Sequence, residues 1–159
     1  MNEDQAAMHL RDARLSGVYA VGRGGLGGLA VAARDAGLKV LRVDLDACAD
    51  KPGLLSRISH RLDFPHGWGG NWDALSDALR DLSWLPASGY ALLFGNADDL
   101  RQRSREDFDM LLDVLSEAAA RWAGDDVPFW AFFELDDIAL DDFEPDNGAR
   151  QPSNSDQRA

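Results

Sequence analysis

Three short apolar runs constrain this chain more than any other feature: KVLRVDL (Lys39–Leu45), GYALLF (Gly89–Phe94) and VPFWAFFEL (Val127–Leu135). Each reads as a strand: KVLRVDL alternates or runs apolar, GYALLF, bounded by turns, has the pattern of a buried strand, and VPFWAFFEL is the last of the three. Between the first and second lies KPGLLSRISHRL, whose Leu54, Leu55, Ile58 and Leu62 share one helical face, and then a helix from Trp72 to about Leu82. Between the second and third, NADDLRQRS gives a short helix or turn. A long amphipathic helix follows from Arg105 to Trp122, with Phe108, Leu111, Leu112, Leu115, Ala119 and Trp122 as its apolar stripe. Strands joined through helices are parallel, because a parallel pair needs a crossover of a dozen residues or more. The class is α/β, a small parallel sheet of three to four strands with crossover helices.

Ahead of this unit, GVYAV (Gly17–Val21) is a short β-prone run that enters a glycine cluster, GRGGLGG, and then an alanine-rich helix over Leu29–Ala36 closed by Gly37. The expected organisation is a flexible polar lead over 1–16 and a single domain over 17–135, of which 17–38 is a strand-helix extension. An acidic, largely disordered tail is expected over 136–159. The chain has 159 residues, enough for one domain with a real core.

The formal net charge is -12, and residues 134–159 alone hold 8 acids and 2 bases. Direct DNA or RNA binding relies on clustered Lys and Arg and is disfavoured, so a basic protein partner is the natural expectation. A single cysteine, Cys48, forbids an internal disulfide and fits a reducing compartment. The polar start, MNEDQAAMHLRDARLSG, lacks a secretory signal, and no stretch approaches the roughly 20 apolar residues of a membrane span. The expectation is a soluble, cytoplasmic protein.

Gly22, Gly24 and Gly27 spell G-x-G-x-x-G between a strand and a helix, and Asp44 falls near the end of the next strand. This is the arrangement that cradles a pyrophosphate and holds a ribose, so a nucleotide-binding protein using Gly22–Gly28 is one reading. The other is a glycine-rich turn joining an extra strand and helix to the sheet, and the missing remainder of a doubly wound domain favours it. His60 and His66 lack metal-ligand spacing, no Ser/His/Asp or Cys/His order emerges, and the tail acids lack a calcium loop. The expectation is no enzyme, no cofactor and no metal.

The stretch FPHGWGGNWDALSDAL (Phe64–Leu79) carries the strongest functional signal. Asn71 is placed to cap a helix whose Trp72, Leu75, Leu79 and Leu82 point inward. Asp73 and Asp77 lie on another face with Arg80, and two acids at i, i+4 repel by a few tenths of a kcal/mol. On the later helix, Asp109, Asp113 and Glu117 repeat the pattern. Taken alone, both are ordinary solvated faces. Trp68, set among Gly67, Gly69 and Gly70, is either a loop anchor or an aromatic contact point beside an acidic patch.

The run from Phe64 to Pro86, FPHGWGGNWDALSDALRDLSWLP, resembles the signature loop and second helix of the barstar-like family, intracellular inhibitors of barnase-type ribonucleases, and the resemblance extends over about Lys39–Glu134. It implies a barstar-like three-layer arrangement and a one-to-one inhibitor, monomeric when free, that plugs the nuclease active site. By motif, Trp68 would pack on the nuclease, Gly69 would permit close approach, and Asn71 would hold the loop and cap the helix. Asp73 and Asp77 would face the basic site with Asp77 as central phosphate mimic, and Glu117 would be a peripheral acid. Gly67 stands where the family carries a second aromatic, while Arg80 and Leu82 replace a small polar and an aromatic residue. These departures imply a partner other than barnase itself. A barstar-fold interaction module with a non-nuclease basic partner is the remaining alternative.

Overall fold

The computed structural model describes residues 3–136. In chain order the elements are α1 (Glu3–Leu10), a 3-10 turn (Ala13–Leu15), β1 (Val18–Val21), α2 (Leu26–Asp35), β2 (Lys39–Asp44), α3 (Lys51–Arg61), α4 (Trp72–Asp81), β3 (Tyr90–Gly95), α5 (Asp98–Arg103), α6 (Arg105–Gly124) and β4 (Phe129–Glu134). The four strands form one sheet in the order β1-β4-β3-β2, and every neighbouring pair is parallel.

β3 and β4 are central, which explains why their sequences are apolar on both faces rather than alternating. Successive side chains divide between two cores. Tyr90, Leu92, Phe94, Phe129, Ala131 and Phe133 pack with residues of α3, α4 and α6. Ala91, Leu93, Trp130 and Phe132 pack with α1 and α2 on the other face. The result is three layers: helices, sheet, helices. Phe94 and Phe133 are register partners and stack at 4.5 Å, which locks the centre of the larger core.

Among the described residues, the polar lead, expected to be flexible over 1–16, instead folds from Glu3 onward. α1 buries Ala7 and Leu10, the 3-10 turn buries Ala13, and Asp12 caps that turn by accepting the Arg14 amide. The Trp130 indole donates to the Leu10 carbonyl at 2.9 Å, so the lead is fastened to the sheet's second face. The cause is tertiary: Trp130 and Phe132 need a cover, and α1 supplies it with Ala6, Ala7 and Leu10. α2 also starts three residues earlier than expected, at Leu26, because that side chain is buried and draws Gly27 and Gly28 into the first turn. The acidic tail expected over 136–159 lies outside the described residues except for Asp136.

The strand order separates the parts of the apparent dinucleotide motif. β1 and β2 are at opposite edges of the sheet, with β4 and β3 between them. Three strand spacings, about 14 Å, divide the glycine turn from Asp44, whereas a dinucleotide site needs them on adjacent strands. Gly24, at φ +85°, donates its amide to the Glu134 carboxylate at 2.8 Å, and the Asn96 amide reaches the same carboxylate at 3.4 Å. The chain's own anion therefore occupies the position a phosphate would need, at the crevice where connections leave toward opposite faces.

Candidate functional site

The loop between α3 and α4 starts from a left-handed residue, Asp63 (φ +52°), with the Phe64 amide returned to the Ser59 carbonyl at 2.9 Å. Phe64 then serves as the loop's floor. Trp68 meets it edge-on at 4.9 Å, and Trp84 meets it edge-on at 5.5 Å from the far end of α4. The Trp84 indole donates to the Leu62 carbonyl at 3.0 Å, joining the exit of α4 to the exit of α3. Trp84 thus lies under the loop. Trp68 is half-buried: it is anchored on one side and offered to solvent on the other.

Gly67, Gly69 and Gly70 all have positive φ, at +79°, +110° and +66°. At Gly69 the requirement is double, because a Cβ there would sit 2.9 Å from the Ala74 Cβ. The resemblance gave this glycine the role of allowing close approach to a nuclease; the approach seen here is to the chain's own helix. Asn71 caps α4 as expected, its side-chain oxygen accepting the Ala74 amide at 2.8 Å. Loop and helix start are thereby one rigid unit, with both Gly69 and Asn71 closing on Ala74.

α4 buries Leu75, Ala78 and Leu79 and leaves Asp73 and Asp77 exposed. Its C-cap, Leu82, is left-handed at φ +46° and almost fully buried, so packing holds a conformation that glycine would adopt freely. Asp73 lies in the first turn, where the helix dipole favours its charge. Asp77 is not a bare carboxylate. Arg80, one turn on, pairs with it at 2.8 Å and also donates from Nε to the Ser76 carbonyl at 3.2 Å. Both partners are open to water, with side chains 76 % and 43 % exposed for Asp77 and Arg80.

α6 lies beside α4, and the Trp122 indole donates to the Leu79 carbonyl at 2.8 Å, fixing the two helices together. Asp109, Asp113 and Glu117 are exposed along α6, with Asp109 paired to Arg105 at 3.1 Å. Trp68 is half-buried, Gly69, Asn71, Asp73 and Asp77 are exposed along the loop and α4, and Glu117 is exposed on α6, which packs beside α4. Sequence reasoning missed Phe64 and Trp84, the supports of Trp68. The available signal was an aromatic four residues ahead of Trp68 and another three beyond the helix end.

Among the described residues no group of His, Cys, Asp or Glu side chains is arranged to hold a metal ion. No described helix is long and apolar enough to cross a membrane. Cys48 is buried, and burial pushes its thiol above its ordinary range.

The chain is a parallel α/β layer in which a glycine-rich loop joins an exposed acidic helix through Gly69, Asn71 and Ala74. Residues 38–134 match the family model described as Barstar (barnase inhibitor), and the chain belongs to that family. A comparison with curated proteins returns no match. The matched span runs from just before β2 to the end of β4 and includes every candidate residue on the loop, α4 and α6. α1, β1 and α2 lie outside it, so the second helical layer and the fourth strand are additions to the shared unit.

Proposed function

We propose that this chain is an inhibitor that binds a basic, barnase-type ribonuclease one to one and blocks its active site with the Trp68–Asn71 loop and the acidic face of α4. Asp77 is the phosphate mimic, Asp73 a second acid toward the same site, Trp68 an aromatic contact on the rim, and Glu117 a peripheral acid. The observation that carries this reading is the rigid closure of the loop onto the start of α4 through Gly69, Asn71 and Ala74, within the family-matched span and directly before the two exposed carboxylates. Prior ordering matters because a surface already in its bound shape loses little entropy on docking.

Electrostatics support the same partner. A nuclease site holds phosphates with cations, and a fixed carboxylate meets such cations through charge-assisted hydrogen bonds. The chain's net charge of -12 draws a basic protein from a distance and raises the association rate. An inhibitor of this kind protects the RNA of the cell that holds it, so the cytoplasm is its place of action. The nucleotide reading has nothing comparable, since the Gly24 amide is committed to Glu134.

Cleavage of a fluorogenic RNA by a panel of barnase-type ribonucleases, titrated with this chain, tests the proposal. Inhibition that saturates at one equivalent, with an association rate that falls as salt rises, is the expected result. Capture of basic proteins with no loss of cleavage anywhere in the panel would favour an interaction module with a non-nuclease partner.

A further inference from the structure

The inference rests on the nuclease-docking reading of α4 and concerns what selects the nuclease. Arg80 is the one cation on the exposed face of α4, and it is held against the carboxylate that has to enter a basic site. The pair is open to water, so separating it in the free protein changes populations by at most about fivefold. Docking alters that balance. Nη2 of Arg80 lies 2.8 Å from Oδ1 of Asp77, so any site that encloses the carboxylate encloses the guanidinium or forces it away. Kept in place, Arg80 half-neutralises Asp77 and brings a positive charge against the nuclease cations. Driven off Asp77 into a dry interface, it is a desolvated cation without a partner, which is costly unless a new anion receives it. Its second bond, to the Ser76 carbonyl, holds the side chain along the helix.

We propose that Arg80 is a specificity-determining residue of the docking face. The nucleases it admits carry a carboxylate about one helical turn from the cations that take Asp77. That carboxylate accepts Arg80 as the intramolecular pair opens. Nucleases whose rim is uniformly basic are rejected by like-charge contact, so discrimination comes from a repulsive element as well as an attractive one. Affinity for the admitted partner thus includes an exchange of ion pairs: Asp77 passes from Arg80 to the nuclease cations, and Arg80 passes from Asp77 to the nuclease carboxylate.

The test measures inhibition constants of the full chain, Arg80→Ala, Asp77→Ala and the double variant against the same panel of barnase-type ribonucleases. Thermal unfolding of each variant confirms an intact fold, which exposed positions on α4 leave undisturbed. Arg80→Ala is expected to bind at least tenfold more tightly to nucleases the wild type inhibits poorly, and at least tenfold more weakly to the one it inhibits best. Both changes should shrink to about threefold or less when Asp77 is already alanine. A change of the same sign and size across the panel, or none, would overturn the selective role while leaving inhibition itself in place. Absence of inhibition by both wild type and Arg80→Ala across the panel would instead overturn the nuclease reading and this inference together.

Discussion

Replacing Gly69 by alanine tests whether the loop is held by the geometry described here. Two costs act at once. The residue sits at φ +110°, a conformation that costs a side chain about 1–2 kcal/mol or more. The new methyl would lie 2.9 Å from the Ala74 Cβ, against the 3.5–4.0 Å of ordinary carbon contacts, and such overpacking costs about 1–3 kcal/mol. The loop is exposed and relaxes in part, so a loss of about 2–3 kcal/mol is expected in urea unfolding, with an unchanged slope. Ala74→Gly alone costs at most about 1 kcal/mol in the first turn of α4. Combined with Gly69→Ala it removes the methyl clash but not the backbone strain, giving a favourable coupling of about 1–2 kcal/mol in the double-mutant cycle. A Gly69→Ala loss below about 0.5 kcal/mol, or zero coupling with Ala74→Gly, would refute the claim that these two residues close the loop. On the docking reading, Gly69→Ala also weakens inhibition beyond its effect on stability, because the displaced loop must be reordered on binding.

Two further outcomes follow from the cores. Trp130→Ala removes a side chain that is 5 % exposed, stacks on Phe132 and holds the Leu10 carbonyl, so it should cost about 3–5 kcal/mol and speed hydrogen exchange across α1 more than across α4. Cys48 is buried beside Asp50 with its thiol pushed up, so at pH 8 it should react with a disulfide reagent only at the rate of unfolding. A raised folded value means the thiol's contribution to stability is complete below the unfolded pKa and fades as pH rises through the folded one.

The legible parts of the fold were those with a strong local period. The apolar runs of β3 and β4 were readable because both faces of a central strand are covered, and α4 and α6 because their buried residues recur every three or four positions. α1 was not readable. Half of its sequence is polar, and its reason to fold, the indole of Trp130, is 120 residues from Leu10 along the chain. The glycine motif fits a dinucleotide site by spacing alone, and the sheet order that parts Gly24 from Asp44, set by long-range pairing of β1 with β4, agrees with the turn reading the sequence favoured. In the candidate site, Asn71 was legible through capping chemistry, whereas helical spacing put Asp73 and Asp77 only on a solvated face and it was the family resemblance that marked them as candidates. The contact of Gly69 with Ala74 and the seating of Trp68 on Phe64 depend on how the loop turns, which three positive-φ glycines decide and no pattern announces.

The central claim is that Asp77 belongs to the docking face and not to the fold. Its pair with Arg80 is exposed and contributes about 0.2–1 kcal/mol, so Asp77→Ala should leave the unfolding midpoint within a few degrees of wild type. The decisive measurement is the inhibition titration of the ribonuclease that the wild type blocks most tightly, run beside thermal unfolding of both proteins. The account predicts inhibition lost by a hundredfold or more with the midpoint almost unmoved. Unchanged inhibition by Asp77→Ala, or a loss matched by a collapse of stability, would contradict it.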